Sequence, residues 1–243
     1  MNFARAYRPI LDRAYVGLRL TAAPQIKALY QEHDTKPGPE HAMPFAFTTG
    51  PIPLQALHDA FIYQKPDLNE HITTGHLVID NGQAGLNAQG THIATAIEKA
   101  LATAGRRLWT RRPIPTMPDD QDLDDLTAII ERLLAGGHRS PGTVWNALTP
   151  RKFTQQHDRE HRLATGLGIL RHHRADAYRS AWREQGWNVD DALEVTDGPT
   201  RDRVEALTDQ RDMTLWNTLD EDDQWRLIGI TGALADGLTS AAR

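Results

Sequence analysis

The chain has 243 residues, 40% hydrophobic and 24% charged, an ordinary soluble composition for one large or two small domains. A chain of this size buries roughly 70% of the surface that its unfolded form exposes, so a sizeable core is within reach. It has no cysteine and a net charge of −5, which excludes disulfides, thiolate catalysis and iron–sulfur clusters and argues against a strong nucleic-acid binder, whose affinity rests on Lys and Arg at phosphates.

Residues 3–32 read as helix, with Phe3, Tyr7, Leu11, Ala14, Tyr15 and Leu18 recurring at spacings of three and four. Pro24 is expected to start a second helix, since proline suits a first turn. "DTKPGPEHAMP" reads as a loop. Leu54, Leu57, Ala60 and Phe61 mark a helix, and Pro66 opens another that ends near Thr74 with Gly75 as a left-handed stop. "HLVID" alternates as a strand, Asn81-Gly82 is a hairpin turn, and "QAGLN" is the return strand. "AQGTHIATAIEKALATAG" is helical again. A proline-rich linker, "TRRPIPTMPDDQD", precedes the well-patterned helix "LDDLTAIIERLLAGG" and a short one in "SPGTVWNALTP". From Phe153 to Gln185 the pattern is helical, with a break expected at Gly166–Gly168. "WNVDDALEVTDGPT" reads as a short helix or a hairpin turning at Asp197-Gly198. Two helices close the chain: one from Pro199 with Val204, Leu207 and Met213 as core positions, and one capped by Asp220.

Helix, turn, helix, hairpin, helix is the layout of a winged helix. The two halves also rhyme: Gly75, Gly90, "TAIEKAL" and Trp109 recur as Gly186, Gly198, "DRVEAL" and Trp216. The expected fold is therefore mainly α, with two related winged-helix or helix-turn-helix units and one or two small β-wings. The expected division is 1–112 (N-terminal helices plus the first unit), 113–125 (a Pro/Asp-rich linker) and 126–243 (the second, degenerate unit).

"LRHHRADAYRSAWREQGW" at 170–187, "RDRVEALTDQRDMTLWNTLDEDD" at 201–223 and "FAFTTGPIPLQALHDAFIYQKPDLNEHI" at 45–72 resemble the SalK-like helix-turn-helix family of actinobacterial proteins, often found near secondary-metabolite genes. The resemblance implies an all-helical fold with degenerate winged-helix units and says little of activity. The chain departs from the family where Tyr178 follows "HHRADA", so no ligand role transfers there.

The stretch from His157 to Trp187 supports four readings. First, His157, Glu160 and His161 form H-x-x-E-H, whose i,i+4 histidines share a helix face and could chelate zinc given a third ligand. In a continuous helix His172 stands roughly 16 Å from His161, too far to serve unless the chain folds back; His58 and His92 are other possibilities. Second, Arg171, His173, Arg174, Arg179 and Arg183, with Trp182, could contact a ligand or DNA. The matching first-unit helix, "PDLNEHITT", carries Asp67 and Glu70 and no base, so one unit per chain would read DNA weakly and a homodimer would be needed. Third, His172 with Asp176 at i+4 could form an oriented acid–base pair, with Tyr178 as proton donor. Fourth, no function is required: Leu163, Leu170, Ala177 and Ala181 form a core seam, and the histidine face meets solvent or walls a cleft.

Outside that stretch, Gly166 and Gly168 read as close helix packing, the tryptophans as core anchors or an aromatic pocket, and Arg106 and Arg107 as a complement to a helix C-terminus. The first 18 residues lack a signal peptide's apolar core, no run of 18 apolar residues exists, and the expected location is cytoplasmic, with no membrane contact. The expected function is a winged-helix-type regulatory or small-ligand-binding protein associated with secondary metabolism, needing no cofactor. The alternative is an enzyme on a repurposed winged-helix scaffold, using the histidine-rich helix for acid–base or metal-dependent chemistry.

Overall fold

The computed structural model describes residues 2–61, 68–73, 75–109, 117–136, 142–149, 157–187, 195 and 197–241. Among them the protein is mainly helical, with one small antiparallel sheet. Helix α1 (Phe3–Glu32) is followed by two single turns, α2 (Pro39–Ala42) and α3 (Pro44–Phe47). Then come β1 (Ile52–Pro53), α4 (Leu54–Ala60), α5 (Leu68–Thr73), β2 (Leu77–Asp80), β3 (Gln83–Leu86) and α6 (Ala88–Trp109). The remainder is α7 (Asp120–Ala135), α8 (Thr143–Leu148), α9 (Arg159–Glu184), α10 (Pro199–Trp216) and α11 (Glu221–Ala241).

Helix α1 runs straight through Pro24 instead of restarting there. A proline removes one backbone donor, but Leu18, Ala22, Ile26 and Tyr30 stay in phase across it and all four are buried. Tertiary burial of that stripe outweighs the lost bond. The segment read as a loop after α1 contains the turn α2 and ends at Pro44, the proline that opens α3. Phe45, Ala46 and Phe47 of α3 are core residues.

The hairpin forms where the sequence puts it. Asn81 (φ 48°) and Gly82 (φ 73°) both adopt positive φ, the pair of values that a type I′ turn requires. Asp80 pairs with Gln83 across it, and β1 adds on the other side of β3, with Ile52 opposite Ala84. The sheet order is β1-β3-β2. The expected end of the helix before the hairpin, at Thr74, lies outside the described residues. A Cβ at Gly75 would lie 2.7 Å from the His71 carbonyl oxygen, a close approach that favours glycine there.

Helix α9 is unbroken from Arg159 to Glu184, so the expected interruption at Gly166–Gly168 does not occur. A Cβ at Gly168 would stand 2.7 Å from the Phe45 ring and 3.0 Å from Tyr15. The glycine lets α3 and α1 seat against α9. Leu163, Leu170, Ala177 and Ala181 are all buried, so the expected seam is real. Helix α9 packs on α1, α6, α7, α8 and α10, and α1 packs on α6, α10 and α11. One large hydrophobic core runs from Phe3 to Leu234 and draws on both sides of the proline-rich linker. A satellite of Ala181, Trp182 and Val204 sits under Tyr178 and Leu207. Residues 62–67, 110–116, 150–156 and 188–194, where Pro66, most of the linker, the expected start at Phe153 and most of the second turn fall, lie outside the described residues.

Candidate functional site

The C-terminal half of α9 faces α1 and α10 across a cavity of about 450 Å³. Such a volume suits a small organic molecule. Tyr7 and Trp216 form an aromatic wall, their rings meeting edge-on at 5.1 Å. The Tyr7 hydroxyl is turned away from the cavity's charge, sharing a 3.2 Å hydrogen bond with Thr231, and burial holds it strongly protonated.

Five arginines line this cavity, against Asp12, Glu205 and Asp212. Arg171 donates from Nε to Asp12 at 2.7 Å and lies over the Tyr15 ring. Arg8 approaches Asp12 through Nε at 3.9 Å. Arg201 approaches Glu205 through Nε at 3.6 Å and stacks over Tyr178. The terminal nitrogens of these three make no hydrogen bond to another described residue. Arg174 is more committed, donating to Asp209 at 2.7 Å and Glu205 at 3.3 Å. Arg179 is buried and paired with Asp176.

His172 also lines the cavity, with Phe45 edge-on behind it. Its pKa is pushed down to about 3, first by burial and then by the charges of Arg179 and Arg171. The imidazole is neutral near pH 7, and so weak a base suits hydrogen bonding to a ligand better than proton abstraction. The expected His172–Asp176 pair does not form. Asp176 instead accepts from the Trp145 backbone N–H at 2.7 Å and from Arg179, capping the start of α8. A Cβ at Gly142, the residue before α8, would overlap the Asp176 carboxyl, which accounts for glycine there. Tyr178 lines the cavity beneath Arg201, 6.0 Å from the Trp182 ring.

Two residues expected at a contact surface are core instead. His173 is buried, hydrogen-bonded through Nδ1 to Asp212 at 2.7 Å, with its ring 4.9 Å from Trp145. Trp182 is fully buried in the satellite cluster. The basic face expected to touch DNA is tied into the fold. Arg183 reaches Asp59 of α4 at 3.0 Å, and Arg171, Arg174 and Arg179 hold the carboxylates already named.

At the other end of α9, His157 and His161 stack with ring centroids 4.0 Å apart. His161 Nε2 lies 3.7 Å from the buried Glu98. Glu160 turns the other way, to Arg159 at 2.9 Å and Arg106 at 3.8 Å. His161 and His172 sit eleven residues apart on one continuous helix, about 16 Å. Among the described residues no group of three or more His, Asp or Glu side chains is placed to hold a metal ion. Of the tryptophans, Trp109, Trp145, Trp182 and Trp216 are buried anchors, and Trp216 also walls the cavity.

Sequence reasoning missed Tyr7, Arg8 and Asp12 of α1 and Arg201, Glu205 and Asp212 of α10. Arg8–Asp12 and Arg201–Glu205 are both i,i+4 pairs bordering an apolar stripe, and that was the available signal. No described helix is long and apolar enough to cross a membrane. Comparison with family models finds no match, and comparisons with curated proteins and with solved structures find none either.

Proposed function

We propose that this is a small-ligand-binding protein on a winged-helix-derived scaffold, and that its ligand is a small organic anion held between α1, α9 and α10. The single observation that carries the reading is the convergence of Arg8, Arg171 and Arg201 on one cavity, each engaging its carboxylate through Nε and leaving its terminal nitrogens to a ligand. Paired terminal nitrogens match the two oxygens of a carboxylate. The aromatic wall of Tyr7 and Trp216 and the neutral His172 suit a flat, hydrogen-bonding body behind that charge. The order β1-α4-α5-β2-β3, with β3 central in the sheet, supports the winged-helix ancestry. The resemblance to SalK-like proteins supplies the setting, a ligand drawn from secondary metabolism and a regulatory role. DNA contact is no part of the proposed site: Arg174, Arg179 and Arg183 of α9 hold protein carboxylates, and Glu70 on α5 opposes phosphate. The enzyme reading loses ground for a chemical reason, since His172 is too weak a base and Asp176 does not orient it.

The test is a thermal-shift and calorimetric titration with sodium benzoate and sodium phosphate as probes, and benzamidine as the cationic control. A ligand at a hundred times its Kd stabilises by about 2.7 kcal/mol, which a melting curve resolves. Benzoate should raise the melting temperature of the wild type and not of an Arg8→Ala/Arg201→Ala double variant, while benzamidine does nothing to either. Equal shifts in both proteins, or no shift with either anion, would overturn the reading.

A further inference from the structure

We propose a second binding site, a groove on the outer face of α1 that takes a long-chain carboxylate. The groove encloses about 1170 Å³ and is bounded by α1 from Tyr15 to Gln31 and by the segment that leads into α2. That part of α1 spans seventeen residues, or about 24 Å from first to last at the helical rise, long enough for an extended alkyl chain. Leu20 is 69% exposed and Val16 44% exposed, and both line the groove. Apolar side chains left open to water along a concave surface mark a site that is covered by something.

The charge of the groove says what covers it. Arg19, Lys27 and Arg171 line it against Asp34 alone, in a chain whose net charge is −5. Arg19 Nη1 and His41 Nδ1 are both buried and neither has a hydrogen-bond partner among the described residues. Buried polar atoms left without partners are costly, and native structures keep few of them. A carboxylate seated between them satisfies both, accepting from the Arg19 guanidinium and from Nδ1–H of a neutral His41. The alkyl chain then lies over Val16 and Leu20. A second copy of this chain would cover the two apolar side chains but would not fill a concave space ending in buried donors. The site is separate from the α1/α9/α10 cavity, and only Arg171 borders both.

The experiment titrates the purified full chain with 11-(dansylamino)undecanoic acid, then displaces the probe with decanoate, dodecanoate, tetradecanoate and 1-dodecanol. The expected result is saturable binding of one probe per chain. Affinity should rise with chain length by up to about fourfold per added methylene. Dodecanol should compete at least about tenfold more weakly than dodecanoate, since a charge-assisted hydrogen bond is lost. Arg19→Gln should weaken the probe about tenfold, and Leu20→Glu, at an exposed position that tolerates it, should abolish binding with the circular-dichroism melt unchanged. Benzoate shifts should be the same in both variants, which separates this site from the cavity. The proposal is overturned if no saturable binding is seen, if either variant binds like the wild type, or if dodecanol competes as well as dodecanoate. A native mass showing a wild-type dimer that Leu20→Glu converts to monomer, with no probe bound, would assign the face to a second copy and overturn it equally.

Discussion

The two ends of α9 are built from the same materials, alternating arginines, acids and histidines, yet they end in different structures. At the N-terminal end every charge closes onto a neighbouring helix. Arg106 of α6 meets Asp158, Arg159 reaches Asp120 and Asp124 of α7, and Arg162 reaches Glu131 of α7. At the C-terminal end the partners lie on α1, α4 and α10 at similar distances, and a cavity opens among them. Gly168 brings α3 and α1 against the middle of α9. Further along, Tyr7, Trp216 and the arginine stems line the space between α1, α9 and α10. The same sequence texture closes into ion pairs at one end and walls a cavity at the other.

The largest expected effect is at Asp176. Its carboxylate is buried with Arg179 and caps α8, so Asp176→Ala strands a buried guanidinium and should cost about 3–5 kcal/mol in urea unfolding. Asp124→Ala, which removes an exposed partner of Arg159 at the other end, should cost about 1 kcal/mol or less. Similar losses at the two sites would break the contrast between them. Next in size is Gly168→Ala. The added methyl must displace the Phe45 and Tyr15 rings, and overpacking of this kind costs about 1–3 kcal/mol. A neutral result would show that the glycine does not set the spacing.

Local signals were the legible ones. The ends of α1, the Asn81-Gly82 turn, the capped start of α11 and the seam of Leu163, Leu170, Ala177 and Ala181 all follow from periodicity and turn chemistry. Even His173 was readable as core, because it falls three residues after Leu170 and four before Ala177, on the same stripe. What the sequence hid is long-range pairing. Arg171 finds Asp12 at a separation of 159 residues, and no periodicity within α9 points there. The straight run of α1 through Pro24 was hidden for a related reason, since local preference gave way to a buried face defined by other elements. The site residues on α9 were therefore visible as a set, while their partition into core, ion pair and cavity wall depended on helices elsewhere.

The smallest effect sharpens the comparison by pH. At the closed end, burial pushes the Glu98 carboxyl up to about 7, opposed by a hydrogen bond from Thr48. Between 4.5 and 7 the unfolded chain ionises this group while the folded one keeps its proton, so its contribution to stability falls as pH rises. His161 goes the other way, pushed down to about 4 by burial and then by His157. Between 4 and 6.5 the unfolded chain holds a proton on this imidazole that the folded chain lacks, so its contribution rises with pH. The two slopes oppose each other from pH 4.5 to 6.5. His172, at the cavity end, is pushed down by burial, so its slope has the sign of His161, and it is opposed at low pH by Asp176, whose carboxyl burial pushes up. Glu98→Gln removes the falling arm, and its urea midpoint should climb more steeply than that of the wild type from pH 4.5 to 6.5. The gain is at most one proton's worth, about 1.4 kcal/mol per pH unit. His172→Asn should instead flatten the rise below pH 6.5 and leave the Glu98 arm intact. Parallel curves for Glu98→Gln and the wild type would mean that the carboxyl is solvated, and the two ends of α9 would then differ less than their geometry implies.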